Sequence, residues 1–368
     1  MTITRSKPLA AIGGVLCVLF AGLSIPVLAG PVQDAASYSG AVARINDAHV
    51  RQPGKNTEAV LAKQLPAAAK SALQHVLDAK PGPDTGPALL RCGEAALDLD
   101  LMEDFKSVHT RLAAIAPAEA AKLGEAVSRP RFIVRGIGEF QRGYLEGFAD
   151  VCDAVLAAYD EVFGFAEFSK VPGKKLRFRV HLVPSITSPP HFAPEFPWHS
   201  EVDFPVADGT QFSSPTRQGQ FLFYGLCHEL GHVIAMWGDL KNMEDKHAWA
   251  HYTGVVIVEH LAASAKDKPW MEPLKDEKWR SLKLERELPA NHTPPSLVSH
   301  GSVMALLLSL HDSVGPKVIG KAINSLDALN KCRRVNQVRY YAFADFQKAL
   351  LAAAPDKKEA ISFAFRKP

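Results

Sequence analysis

The spacing of apolar positions changes along the chain. Between residues 31 and 128 alanine and leucine recur at helical intervals, in "TEAVLAKQLPAAAKSALQHVLDA" and again, after the breaker "KPGPDTGP", in "PALLRCGEAALDLDLMEDFKSVHTRLAAIAP". This predicts helices that bury one face and expose the other. From Arg131 the period shortens: "RFIVRG" predicts a strand, "EFQRGYLEGFADVCDAVLAAYDEVFG" a long helix, and "KKLRFRVHLVP", with alternating apolar and polar residues, a second strand. A proline-rich loop, "SITSPPHFAPEFPWH", then leads to "SEVDFPVA", an expected edge strand. A further long helix begins near Gly219, and the chain after Gly238 reads as mostly helical. The expected fold class is α+β, with a helical N-terminal region over 30–128 and a second domain over 129–368 built from a small mixed sheet, a central helix and a helical C-terminal half.

Composition narrows the function classes. With 47% hydrophobic and 22% charged residues the chain can bury a sizeable core, and the balance does not suggest disorder. Residues 1–29 have the pattern of a signal peptide: basic Arg5 and Lys7, an apolar run from Leu9 to Ile25, then Pro26 and the small-residue ending Val27-Leu28-Ala29. Cleavage is expected after Ala29, which places the protein in the periplasm or outside the cell. Cys17 follows Leu16, where a lipoprotein signal needs a small residue, so lipid attachment is not expected, and no other stretch is long and apolar enough to span a bilayer. The formal net charge of +3 includes Arg5 and Lys7, and what remains without them argues against nucleic acid as a partner. Cys92, Cys152, Cys227 and Cys332 remain after cleavage; an oxidising compartment permits disulfides, their spacing matches no zinc finger, and their pairing is open. Cys227, beside a histidine on an expected buried helix, reads as a packed thiol. The stretch from 87 to 117 resembles a single tetratricopeptide-like hairpin, with no repeat at that period elsewhere.

The chemistry concentrates in "CHELGHVIAMWGDLKNMEDKHAWAHYTG", residues 227–254. On a helix, residues four apart share a face, so His228 and His232 can present both imidazoles to one metal ion while Glu229 points to the adjacent face. A zinc ion held by neutral nitrogens in an open site lowers the pKa of a bound water to about 7, and a neighbouring carboxylate can then take its proton. His228 and His232 are therefore expected as ligands of one Zn²⁺ and Glu229 as the general base. Leu226, Leu230, Val233 and Trp237 form an apolar stripe that would bury the helix, with Gly231 keeping the space between the histidines small.

Over residues 131 to 355 the chain resembles the gluzincin metallopeptidases, the superfamily of thermolysin and the zinc aminopeptidases, in particular their peptidase MA-like branch. The likeness rests on "HELGH", on the strand, helix and strand before it, and on two later segments. In that family a second helix carries Glu-Gly-x-Ala-x-Tyr, whose glutamate is the third zinc ligand. Here "HAWAHY" matches it at Ala248, Ala250 and Tyr252, with His247 in the glutamate's place, so the resemblance implies His247 as third ligand. His251 is the alternative: 18 residues separate it from His232, the interval of the zinc aminopeptidases, and it could equally be a residue supporting a ligand. Glu259, about 18 Å beyond His247 along a continuous helix, and the loop acids Asp239, Glu244 and Asp245 stay open. Ala235 and Gly238 stand where the metzincin motif has glycine and its third histidine, which excludes that pattern. In "SHGSVMALLLSLHDSVGPKVIGKAINSL", His300 holds the position at which the family places a Tyr or His before a glycine-containing helix, and it could stabilise the oxyanion of a tetrahedral intermediate. His191 and His199 in the proline-rich loop read as surface residues.

Together these features imply an exported zinc metallopeptidase with a zincin-like domain, acting on a peptide or protein substrate held along the edge strand near "SEVDFPVA". Two rivals stay open: a catalytically silent zincin-fold protein of the cell envelope, and a zinc hydrolase of a non-protein substrate. No stable membrane span is expected after cleavage.

Overall fold

The computed structural model describes residues 30–51, 65–164, 176–182, 191–193, 201–206, 217–234, 236–237, 243–265, 267–268, 300–328, 333–335 and 338–366. The expected signal segment and Cys332 lie outside them. Among the described residues no helix is long and apolar enough to cross a membrane. The class is mixed α+β.

The N-terminal region is helical as its periodicity predicts: α1 (Pro31–Arg51), α2 (Ala67–Asp78), α3 (Thr85–Asp98), α4 (Met102–Ile115) and α5 (Pro117–Leu123). The expected helix over "TEAVLAKQL" falls outside the described residues up to Gln64. α1 lies against α2 and α3, and α3 pairs with α4. Tyr38, Val76, Leu89, Cys92, Val108 and Leu112 make one apolar core between these helices. The Tyr38 hydroxyl donates to Asp104 at 2.8 Å, so the one polar atom of that ring is satisfied within the bundle.

A mixed sheet follows, ordered β1 (Glu125–Ser128), β2 (Phe132–Ile137), β3 (Leu176–Leu182), β5 (Glu201–Val206) and β4 (His191–Ala193). β2, β3 and β5 run parallel, with β1 and β4 antiparallel at the two ends. Between β2 and β3 the chain passes through α6 (Arg142–Phe163), the long helix expected there. Alternation divides the sheet between two cores. Phe132, Val134, Phe178, Val180, Val202 and Phe204 face the core shared with α6, whereas Ile133 joins the core of the N-terminal helices. Arg177 donates to Asp100 at 2.6 Å and also to the Leu97 carbonyl, with both side chains of the ion pair almost fully buried.

"SEVDFPVA" is not the outermost strand. β5 pairs with β3 on one side and with β4 on the other, so the edge is formed by three residues of the proline-rich loop. A run flanked by Pro189, Pro190 and Pro194 reads as a loop, yet prolines are tolerated beside a short edge strand. β4 pairs only with Glu201–Asp203, so its ladder stops short of Pro205, which has no N–H to give.

Helix α7 (Arg217–Ile234) carries the histidine pair and lies against β4 and β5. It is followed by β6 (Met236–Trp237) and α8 (Met243–Ser264), then α9 (His300–Val314), α10 (Pro316–Ala328), β7 (Arg333–Val335), β8 (Val338–Tyr341), α11 (Phe343–Ala353) and α12 (Lys358–Arg366). Trp237 therefore does not extend the apolar stripe of the motif helix. It belongs to a second, three-stranded sheet, β6-β8-β7, absent from the expectation of a mostly helical remainder.

Candidate metal centre

From Ala248 to Val258 α8 is buried on nearly every side, with His251 half-buried, as a helix enclosed by others must be. Trp249, Tyr252, Ile257 and Val258 are fully buried, and α6, α7 and α9 pack around it. Its crossing with α7 is close because small residues line it. A β-carbon on Gly231 would sit 2.8 Å from the Cα of Ala250, and one on Gly254 3.2 Å from the Cα of His228. The function expected of Gly231 is thereby corrected: it admits the backbone of α8 rather than setting the space between the histidines.

A buried polar network joins three helices beside that crossing. The Tyr159 hydroxyl on α6 donates to the Cys227 carbonyl at 2.7 Å and lies 3.3 Å from the Thr253 hydroxyl on α8. Burial raises the Tyr159 phenol well above its ordinary pKa, so it stays a donor across the physiological range. The carbonyl preceding His228 is thus held by Tyr159.

On this framework the ligand atoms of His228, Glu229 and His232 all lie within 4.8 Å of one another. Glu229 and His232 are buried and His228 is half-buried. The imidazole centroids of His228 and His232 are 4.9 Å apart with rings at 85°. A ring centroid stands about 3.2 Å from a zinc ion bound through one of its nitrogens, which puts two ligands of a tetrahedral ion about 5 Å apart, centroid to centroid. The pair fits one ion with little rearrangement, and two imidazoles beside a carboxylate form a donor set suited to zinc. This group could hold a metal ion.

The candidates for a third ligand separate by position. The closest approaches of α7 and α8 pair Gly231 with Ala250 and His228 with Gly254, so the helices run antiparallel there. His251 lies between those contacts and level with the histidine pair. Its ring centroid is 6.4 Å from that of His228, more than the tetrahedral separation, and it stands outside the 4.8 Å group. His247 lies one turn earlier, about 5 to 6 Å along the axis, and its side chain is outside the described residues, as are those of Glu244 and Asp245 on the same helix and the whole of Asp239. Glu259 is half-buried about 12 Å beyond His251 along α8 and does not join the group. His300 is the first residue of α9, with its side chain outside the described residues, as is that of His191; His199 lies wholly outside them.

Two contacts were not expected. Tyr224, one turn before His228 on α7, bonds through its hydroxyl to Nδ1 of His251, and its ring centroid is 5.9 Å from each of His228 and His251. The Tyr252 hydroxyl meets Nδ1 of His311 on α9 at 3.0 Å. Spacing could have singled out Tyr224: four residues before His228, it shares the ligand face. Cys92, Cys152 and Cys227 are buried thiols; burial pushes Cys92 up to about 12 and raises the other two as well, so none is a ready nucleophile. Cys227 is a packed thiol in the core around α6 and α7.

No family model matches the chain, and no curated protein matches it.

Proposed function

We propose that this protein is an exported zinc metallopeptidase of the gluzincin type, hydrolysing peptide bonds with Glu229 as general base. The observation that carries the reading is the convergence of His228, Glu229 and His232 ligand atoms within 4.8 Å on one helix. A zinc ion bound there would supply the Lewis acid that polarises the scissile carbonyl and makes water acidic enough to attack. His228 and His232 would hold the ion. Glu229, turned about 100° from His228 around the helix, accepts the proton of the attacking water and passes it to the leaving amine. His251 is proposed as third ligand in preference to His247, because it is level with the pair on the facing helix. It would need to approach His228 by about 1 Å to reach tetrahedral spacing. His300, opening a helix that packs on α8, is assigned to the oxyanion.

An extended peptide is expected along the outer side of β4, the antiparallel edge beside α7. Export is supported by residues 1–29 and by the start of α1 at Pro31, just after the expected cut. Mass spectrometry of the mature protein should find Gly30 as the first residue; a mature chain that keeps Met1 in a soluble cytoplasmic fraction contradicts export.

Glu229→Gln tests the mechanism. It should keep stoichiometric zinc and the native fold while lowering cleavage of a mixed peptide library by about 10² to 10⁴. Unchanged cleavage removes Glu229 from the reaction. Zinc binding without cleavage of any peptide or envelope protein by the wild type favours a silent zincin-fold binding protein or a hydrolase of another substrate class.

A further inference from the structure

Tyr224 has no role in the reading above, although it touches two residues of the site. Its hydroxyl engages Nδ1 of His251, and its ring lies 5.9 Å from the centroids of both His228 and His251. We propose that Tyr224 is a positioning residue for the metal centre: by accepting the Nδ1–H of His251 it fixes the tautomer in which Nε2 carries the lone pair, and so presets His251 as a ligand.

The inference rests on the proposed assignment of His251 as third ligand. Its physical basis is that a neutral imidazole has one N–H and one lone pair, and a partner at either nitrogen decides which is which. Ligand histidines usually give their second N–H to an oxygen that orients the ring. Carboxylates and carbonyls commonly fill that place; here the oxygen is a phenol. A phenol that accepts from Nδ1 keeps its own proton to donate, so it orients the ring without adding a negative charge beside the ion. The contact also crosses between helices. Tyr224 stands on α7 with His228 and His232, whereas His251 stands on α8, so the bond ties the facing helix to the ligand pair at the level of the site. The α7–α8 crossing at Gly231 and Gly254 sets how near the helices come, and Tyr224 sets how the His251 ring lies within that gap.

A double-mutant cycle on the metal-free, full-length protein separates this role from a merely structural one. Zinc affinity is measured by competition with a chromophoric chelator, and the visible spectrum of the cobalt form reports the ligand set. Tyr224→Phe, which keeps the ring, should weaken zinc about 10- to 100-fold with one ion still bound, and His251→Ala should weaken it further. The double variant should be no weaker than His251→Ala, because Tyr224 acts only through that ring. Wild-type affinity in Tyr224→Phe overturns the proposal. So does the same further loss when Tyr224→Phe is added to His251→Ala, since Tyr224 would then act through His228 or the fold. Wild-type affinity in His251→Ala also overturns it and transfers the third position elsewhere, leaving the histidine pair intact. Absence of metal binding by the wild type removes the metallopeptidase reading itself. His251→Gln, which retains a side-chain hydrogen bond to Tyr224, replaces His251→Ala if the latter does not fold, with the same outcomes expected.

Discussion

The N-terminal helices and the α7–α8 pair both place glycines where helices meet, yet they are packed in different ways. In the N-terminal unit the helices meet through side chains: a β-carbon on Gly93 would meet the terminal carbons of Leu123, at 2.5 Å, which a change of rotamer can move. At the α7–α8 crossing the obstacle to a β-carbon on Gly231 or Gly254 includes the backbone of the other helix, which cannot move without displacing the helix. The two units also bury different chemistry. The N-terminal helices bury Asp34, Asn46 and Thr85 beside a tyrosine hydroxyl satisfied by Asp104, whereas α7 and α8 enclose Glu229, His232 and Thr253, and there the ligand atoms of two imidazoles and a carboxylate converge within 4.8 Å. Polar groups cost free energy to bury unless something compensates them, so a cluster of them in a close-packed core marks the place where packing has yielded to chemistry. The first unit is held by area and the second by geometry.

The Arg177–Asp100 pair joins the N-terminal unit to β3, whose Phe178 and Val180 share the core of α7 and α8, and removing it should have the largest effect. Arg177→Met leaves the Asp100 carboxylate buried without its guanidinium and should cost about 3–5 kcal/mol. Denaturant unfolding followed by fluorescence and circular dichroism should then resolve two transitions, one for each core; a wild-type curve in Arg177→Met means that the seam contributes little. A metal ion bound as proposed would act on one unit only. Zinc at about 100 times its Kd should stabilise the α7–α8 unit by about 2.7 kcal/mol, a gain read as a rise in midpoint and absent in His232→Ala. An equal rise in His232→Ala assigns the ion to another site. Gly231→Ala should cost about 1–3 kcal/mol through overpacking and weaken zinc as well. Its counterpart Gly93→Ala should stay within about 1 kcal/mol of wild type, because better helix propensity offsets the movement of Leu123. Equal losses at the two glycines, measured by thermal unfolding, would erase the contrast between side-chain and backbone contact. The smallest change is expected at the exposed Lys106–Glu103 pair on α4, where Glu103→Gln should shift stability by no more than about 0.5 kcal/mol.

Much of this molecule follows from local period. The helices over 85–98 and 102–115, α6, the strands over 132–137 and 176–182 and the motif helix were all legible, because each is long enough for its apolar face to repeat several times. The pairing of His228 with His232, and the offset of Glu229, need nothing beyond 3.6 residues per turn. Tertiary structure alone decided the rest. The outer strand is His191–Ala193, three residues whose extended form comes from pairing with β5 rather than from their own preference, and the small sheet of β6, β7 and β8 is built from strands of two to four residues. Gly231 faces α8, and His251 rather than His247 is level with the histidine pair, because the register between two helices is set by which small residues let them touch. Tyr224 shares the ligand face by spacing, but its partner lies on another helix, 27 residues away. Period tells which residues share a face of one element; only the packing of elements tells what that face meets.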